Sequence, residues 1–408
     1  MGLDICCRRD ILFLIFWGAQ RMVSKVESAC FMIADISGYT QFLAGVALDH
    51  AHDIIADVMG MVVRKMRPAF RLAKFEGDAA FLYAVDGKPG VNIDGAMVQD
   101  AIEAVYFAFR RRLRDIRLAS ACECDACRQM QDLDLKFVVH HGNFIRHRMV
   151  GREELAGREV IVVHRLLKNG VNERFGRHAY ALYSDACARA FGMDMAAQGL
   201  ADHVEAIDII GDVTVWVRDL EAAWRAEGQR HDHAVTADAA AIVIAFDIAA
   251  PCQKVWDYFT SPGQRPKWRA TDKVRETIAA GRRGVGTVNH CQHGPDVIIE
   301  EVLDWRPFQT LTLTTLLPML GAPKVLMSYV FESMDDGQGT HLEIRIGKPK
   351  PKDVVFLQKV GAHFEHTITD EVAVLTQILL AEAAMEPDGE AGLPDLGVLF
   401  LTEPVIAH

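Results

Sequence analysis

The stretch Ala34-Asp35-Ile36-Ser37-Gly38-Tyr39-Thr40 (ADISGYT) decides the reading of the first half of the chain. It closes the apolar run Ala29–Ile36 (ACFMIADI), whose short, unbroken apolarity predicts a buried strand. A helix is expected directly after it, from about Thr40 to Arg67. A strand end that feeds a helix start is a natural phosphate site, because free N–H groups around Ser37–Thr40 face the anion. Gly38 lets the backbone come close, and Asp35 can hold Mg²⁺ against the phosphate. About forty residues later, Lys74-Phe75-Glu76-Gly77-Asp78 (KFEGD) reads as the tight turn between two strands within Leu72–Ala84. If these strands pair beside the first, Asp35 and Asp78 converge, and paired carboxylates suit a two-metal phosphoryl-transfer site. Each motif also has an ordinary reading, since Asp is common at helix N-caps and in turns.

Working outward, helical periodicity runs over Asn92–Leu118, and Leu133–His141 reads as a strand. Val160–Asn169 mixes strand and helix signals, and Tyr180–Ala190 reads as strand then helix. The segment Glu221–Ala240 lacks a sustained apolar face and reads as a linker. Beyond it, strands are expected at Ala241–Ile248, Gly286–His290, Asp296–Asp304, Thr310–Leu316, Lys324–Glu332 and Thr340–Ile346. A short helix is expected at Cys252–Phe259, and a long one from about Asp353 to Ala384. That order predicts a curved antiparallel sheet gripping one long helix, and an α+β class for the whole chain.

The 408 residues suggest two or three domains. The expected division is a 1–25 extension, a domain over 26–220, a linker over 221–240, a second domain over 241–385 and a flexible acidic tail over 386–408. Met22 offers an alternative start. With 44 Lys+Arg against 55 Asp+Glu the net charge is -11, which argues against a nucleic-acid partner. The apolar run Ile11–Trp17 is too short to span a bilayer, which takes about 20 residues, so no membrane span and a cytoplasmic location are expected. Nine cysteines without an even framework point the same way, to a reducing compartment.

ADISGYT followed by KFEGD resembles the class III nucleotidyl cyclase catalytic domain, where an Asp-Ile-x-Gly-Phe-Thr strand end precedes a Lys-x-x-Gly-Asp hairpin. Val139–Gly142 resembles that family's strand before its dimer-facing loops. The segment from Glu154 through Gly157, Val160, Ile161 and Arg165 to Leu166 resembles its Asp-x-x-Gly-x-x-Val-Asn-x-Ala-x-Arg-Leu pattern. The wording HRLLKN is closer to an uncharacterised cyclase-like bacterial family, the DUF2652 type. The resemblance covers about 26–220 and implies a ferredoxin-like βαββαβ fold. It implies that Asp35 and Asp78, with the Ile36 carbonyl, hold two Mg²⁺ or Mn²⁺ ions. Ser37, Gly38, Tyr39 and Thr40 would meet the phosphates of a purine nucleoside triphosphate, and Lys74 and Glu154 would read the purine edge. Arg165 would stabilise charge at phosphorus. Sites of this family lie across a head-to-tail homodimer, and the reaction implied is ATP to cyclic AMP.

One departure stands out. The family's Asn four residues before the Arg is Ile161 here, and isoleucine neither donates nor accepts a hydrogen bond. Asn169, four residues after Arg165, is a candidate substitute; the alternative is that it caps the helix before Gly170. Glu76 either adds charge beside Asp78 or points to solvent. Cys122, Cys124 and Cys127 form C-x-C-x-x-C, a spacing that suits structural Zn²⁺ with His140 or His141 as fourth ligand, or else a redox-sensitive loop.

The second domain, from AFDIAAPCQKVWDYFTSPGQRPKW onward, resembles START-like (SRPBCC, polyketide-cyclase-type) domains over about 240–385. The resemblance implies a helix-grip fold and an apolar small molecule in its cavity. Trp305, Phe308, Met319, Met327, Phe331 and Phe364 are candidate lining residues, with core packing as the ordinary role for each. The histidine pairs, such as His363 and His366, read as surface residues. Three functional readings follow: a cyclase gated through the second domain, a nucleotide-binding sensor without turnover, and apolar-ligand transport by the second domain.

Overall fold

The computed structural model describes residues 25–44, 48–87, 92–119, 129–149, 152–229, 232–278, 280–317, 324–348 and 354–385. The expected 1–25 extension, apart from Lys25, lies outside them, as do the acidic tail, Met319 and the three clustered cysteines.

The N-terminal region is built on β1 (Val26–Ser37), which has both faces buried. Its neighbours are β3 (Ala79–Val85) on one side and β4 (Asp134–Met149) on the other, both antiparallel. With β2 (Arg71–Glu76) beyond β3, the order β2-β3-β1-β4 is that of a ferredoxin-like βαββαβ unit. β5 (Arg152–Ala156) pairs with β4, and β6 (Tyr180–Ser184), β8 (Gly211–Asp219) and β7 (Ala201–Ile207) extend the sheet. Cys30, Met32, Ala34 and Ile36 face α2 (Leu48–Met66) and α3 (Gly95–Ala119). Ala29, Phe31 and Ile33 face α4 (Arg158–Leu166). This two-sided burial is why β1 reads as an unbroken apolar run rather than an alternating one.

The helix expected over 40–67 is divided. A short α1 (Tyr39–Ala44) precedes α2. Two further short helices are α5 (Val171–Phe175) and α6 (Asp185–Ala190). The mixed signals of Val160–Asn169 resolve as helix, since Val160, Val162, Val163 and Leu166 share one buried face. The expected linker is corrected in its first half, where Leu220–Gln229 forms α7. Its apolar stripe was short but sufficient: Leu220 is fully buried and the Trp224 ring packs 5.5 Å from Phe107 of α3.

The C-terminal region is one seven-stranded antiparallel sheet in the order β10-β11-β12-β13-β14-β15-β9. Its strands are β9 (Ala240–Ile248), β10 (Lys273–Thr277), β11 (Val288–His293), β12 (Asp296–Arg306), β13 (Thr310–Leu316), β14 (Lys324–Met334) and β15 (Gly339–Gly347). It holds α8 (Cys252–Thr260) and the long α9 (Val354–Met385), which buries Ile368, Val372, Leu375 and Leu379. No helix among the described residues is long and apolar enough to cross a membrane.

The two regions meet at α3. Arg282 and Arg283, between β10 and β11, reach the carboxylates of Asp94, Asp100 and Glu103. Trp305 of β12 donates its indole N–H to Asp100.

Candidate functional site

A cleft of about 380 Å³ opens at the carboxyl end of β1. The β1–β3 register places Asp35 opposite Ala79, so Asp78 arrives beside Asp35 from the β2–β3 turn. The Ile36 amide donates to the Asp78 carbonyl at 3.4 Å. Gly77 turns the hairpin with φ +67°, and Gly38 turns the chain out of β1 with φ +85°. A Cβ at Gly38 would also stand 3.2 Å from the Asp132 carbonyl oxygen, so the turn is tight as well as left-handed. Ser37 Oγ donates to the His178 carbonyl at 2.9 Å, tying this turn to the opposite wall.

The electrostatics of the cleft are those of crowded acids. Burial raises the Asp35 carboxyl above its usual range, against the pull of Lys136, whose Nζ lies 3.0 Å from Asp35 Oδ2. Burial also raises Asp78, and the negative charge of Asp35 raises it further. A hard divalent cation relieves this situation, and two carboxylates are donors of the right chemistry for one. Among the described residues no three His, Cys, Asp or Glu side chains gather as a ligand set.

The cleft contains Asp35, the Ile36–Thr40 turn and Asp78, and it adds residues that no motif flagged: Lys136, Asn172, Arg177, His178 and Tyr180. For Lys136 a signal existed, since a lone Lys inside the strand Leu133–His141 needs a partner. That the partner is Asp35 depends on register alone.

The remaining candidates do not line this cleft. Lys74 and Glu154 approach each other to 4.0 Å across β2 and β5. Glu76 points neither to Asp78 nor freely to solvent: it lies 2.9 Å from Lys74 Nζ and 3.1 Å from His164 Nε2. The bond to Glu76 raises Lys74. Burial pushes Glu76 up, but Lys74 and His164 together hold it below the usual range. Arg165 is exposed on α4, one turn from Ile161, which is 55% exposed. Asn169 is engaged locally. Its Nδ2 donates to the Leu166 carbonyl, while its Oδ1 accepts from the Val171 amide and, at 2.9 Å, from the Tyr180 hydroxyl.

The two histidines considered for zinc have other partners. His141 faces Asp86 at 3.0 Å. His140 lies 2.8 Å from Ser184 Oγ and 2.8 Å from Glu159 Oε2, a chain that resembles a hydrolytic triad. Ser184 is completely buried and caps α6 by accepting from the Cys187 amide. The chain is therefore a tie between strands and helix, with no access for a substrate.

In the C-terminal region Trp305, Phe308, Met327 and Phe331 are buried. The Trp256 ring is their hub, 5.0 Å from Trp305, 5.9 Å from Phe308 and 5.4 Å from Phe331. A buried ion cluster lies in the same region: burial would raise Glu300, but Arg265 and Arg269 pull it down to about 2.

Two family models match the chain. Residues 55–174 match the protein of unknown function family DUF2652, and residues 239–373 match the polyketide cyclase / dehydrase and lipid transport family. An uncharacterized protein of Mycobacterium tuberculosis is 41% identical over 101 residues, which is 25% of this chain and 45% of that relative. The chain thus spans less than half the length of that curated relative. Similar solved structures include a bacterial light-regulated adenylyl cyclase, at 12% identity and a TM-score of 0.36, covering 47% of this chain and 52% of that one. The adenylyl cyclase CyaB from P. aeruginosa is another, at 15% identity and a TM-score of 0.34, covering 48% of this chain and 96% of that one.

Proposed function

We propose that the N-terminal region binds a purine nucleoside triphosphate with Mg²⁺ or Mn²⁺ and converts ATP to cyclic AMP and pyrophosphate. The observation that carries this reading is the arrival of Asp35 and Asp78 in one cleft bordered by the Ser37–Thr40 turn. Asp35, Asp78 and the Ile36 carbonyl are the assigned cation holders. When bound, the cation supplies charge neutralisation of the triphosphate and activation of the ribose 3′-hydroxyl. The 3′-hydroxyl gives its proton to water, its oxygen bonds to the α-phosphorus as the bond from that phosphorus to the bridging β-phosphate oxygen breaks, and pyrophosphate leaves. Ser37, Gly38, Tyr39 and Thr40 contact phosphate, and Lys136 and Arg177 offer further positive charge from the cleft wall.

Lys74, Glu154 and Arg165 stand outside the cleft of their own chain, which suits a head-to-tail homodimer in which they serve the partner's cleft. Lys74 and Glu154 read the purine, and Arg165 meets the charge at phosphorus, while Asn169, whose amide is bonded to Leu166, Val171 and Tyr180, serves as the local cap rather than as a partner of the ribose. The C-terminal region takes an apolar small molecule. Cys122, Cys124 and Cys127 lie outside the described residues, and their assignment to Zn²⁺ stays a proposal.

A second reading is nucleotide binding without turnover. The exposed Ile161 favours it, because no polar group stands there to orient the ribose. The experiment is cyclic nucleotide production from ATP and GTP with Mn²⁺, with Asp35→Ala and Asp78→Ala as controls. Product that depends on both aspartates supports the first reading. Aspartate-dependent nucleotide binding without product supports the second. Absence of nucleotide binding removes both and leaves apolar-ligand transport by the C-terminal region.

A further inference from the structure

We propose that α3 is a strut shared by the two regions, through which the packing around Trp305 sets the shape of the Asp35 cleft. The inference rests on the proposed role of that cleft only for its functional meaning; the mechanical claim stands on the contacts.

At one end of the strut the C-terminal region is bound by charge. Arg282 lies 2.9 Å from Asp100 and 3.0 Å from Glu103, and Arg283 lies 2.6 Å from Asp94. Asp94 caps the start of α3 by accepting from the Met97 amide at 2.8 Å. Glu103 is also paired with Arg218 of β8. Asp100 and Glu103 are buried, so neither carboxylate can lose its partners and stay in place without a large penalty. The Trp305 indole N–H, 3.1 Å from Asp100 Oδ2, belongs to a ring that packs edge-on against Trp256 inside the sheet's aromatic cluster. An apolar molecule that moves this cluster moves the donor to Asp100.

Nearer its middle, α3 is bound to the strand that borders the cleft. Tyr106, fully buried and six residues from Asp100, stands about 9 Å along the same helix. Its hydroxyl lies 3.1 Å from Asp134 Oδ1. Asp134 is the register partner of Ser37, and Lys136, two residues on, is the partner of Asp35. The path from Trp305 to the cleft therefore runs through one helix and one strand pair, with no loop between them. Packed helices shift as units rather than bend.

The test is amide hydrogen exchange on the full chain, with Mn·ATP affinity measured alongside. Trp305→Phe keeps an aromatic ring, smaller than the indole, and removes the donor. Arg282→Gln with Asp100→Asn removes the charge from both sides together, so no lone charge is left buried. Both variants are expected to speed exchange at 35–40 and 134–136 by about tenfold. Lys273→Ala, exposed on β10, is expected to leave these rates unchanged. Wild-type exchange at 35–40 in Trp305→Phe and in the double variant, whether or not residues 280–283 loosen, overturns the strut. If the wild-type chain fails to bind Mn·ATP, the nucleotide reading fails, and the exchange rates still decide the strut.

Discussion

Lys136 and Asp35 are cross-strand partners on β4 and β1, and the ammonium lies 3.0 Å from the carboxylate. The side chain of Lys136 therefore supplies Asp35 with positive charge from within the chain. Lys136→Met removes a cation that competes with a divalent ion for the same oxygens. Mn²⁺ affinity, read by calorimetry, is expected to tighten about tenfold, a change of about 1.4 kcal/mol. Asp35→Asn is expected to abolish the binding. Weaker Mn²⁺ binding in Lys136→Met would mean that the lysine supports the ion rather than opposing it.

Ile161 occupies the position where the cyclase pattern carries Asn, and its side chain is exposed. Ile161→Asn should change the unfolding free energy by no more than the about 0.5 kcal/mol expected of an exposed site, read by denaturant unfolding. Cyclic AMP production with Mn²⁺ is expected to rise at least about tenfold, since ribose orientation regains a polar contact. An unchanged rate in a stable Ile161→Asn protein would assign orientation to another residue.

The Asp100 and Glu103 carboxylates share Arg282 and divide its effect. Burial, opposed by Arg282, pushes Asp100 up to about 7. Burial would also raise Glu103, but Arg282 and Arg218 hold it at about 2. For Asp100 the folded value exceeds the unfolded one, so its favourable contribution is complete below about pH 4 and is lost as pH rises to about 7. In that window Asp100→Asn should flatten the pH dependence of unfolding, by at most ~1.4 kcal/mol per pH unit. Glu103 acts in the opposite sense and only below about pH 4. Denaturant unfolding at several pH values between 4 and 7, wild type against Asp100→Asn, reads this slope, and parallel curves would contradict the assignment.

Gly142 faces Glu159. A Cβ at this glycine would stand 2.5 Å from Glu159 Cγ and 2.8 Å from its Cβ. Gly142→Ala is therefore expected to push α4 from the sheet and break the Glu159–His140–Ser184 chain, at a cost of about 1–3 kcal/mol. A fall in the chemical-denaturation midpoint measures it. A midpoint equal to wild type would show that Glu159 can move aside freely.

Local pattern made a large part of this molecule legible. The unbroken apolarity of Ala29–Ile36 marks a strand covered on both faces, and the turn at Gly77 follows from its residue type. The long C-terminal helix expected from about Asp353 begins at Val354. The strand β7 gives little local signal, because its half-buried positions carry His203 and Glu205 while Val204 is exposed. The helix at Leu220–Gln229 was hidden because its few apolar residues find their partners on α3, more than a hundred residues away.

The sequence by itself determined the two-region α+β order and the pair of aspartates at turns, since side-chain period and turn chemistry are properties of neighbouring residues. Tertiary structure alone decided that Lys136 faces Asp35, that Glu76 belongs to Lys74 and His164, and that Arg282 of one region is held by Asp100 of the other. These are contacts between residues far apart in the chain. They are set by strand register and by which faces remain to be buried once the sheets have formed, and no local window of sequence contains that information.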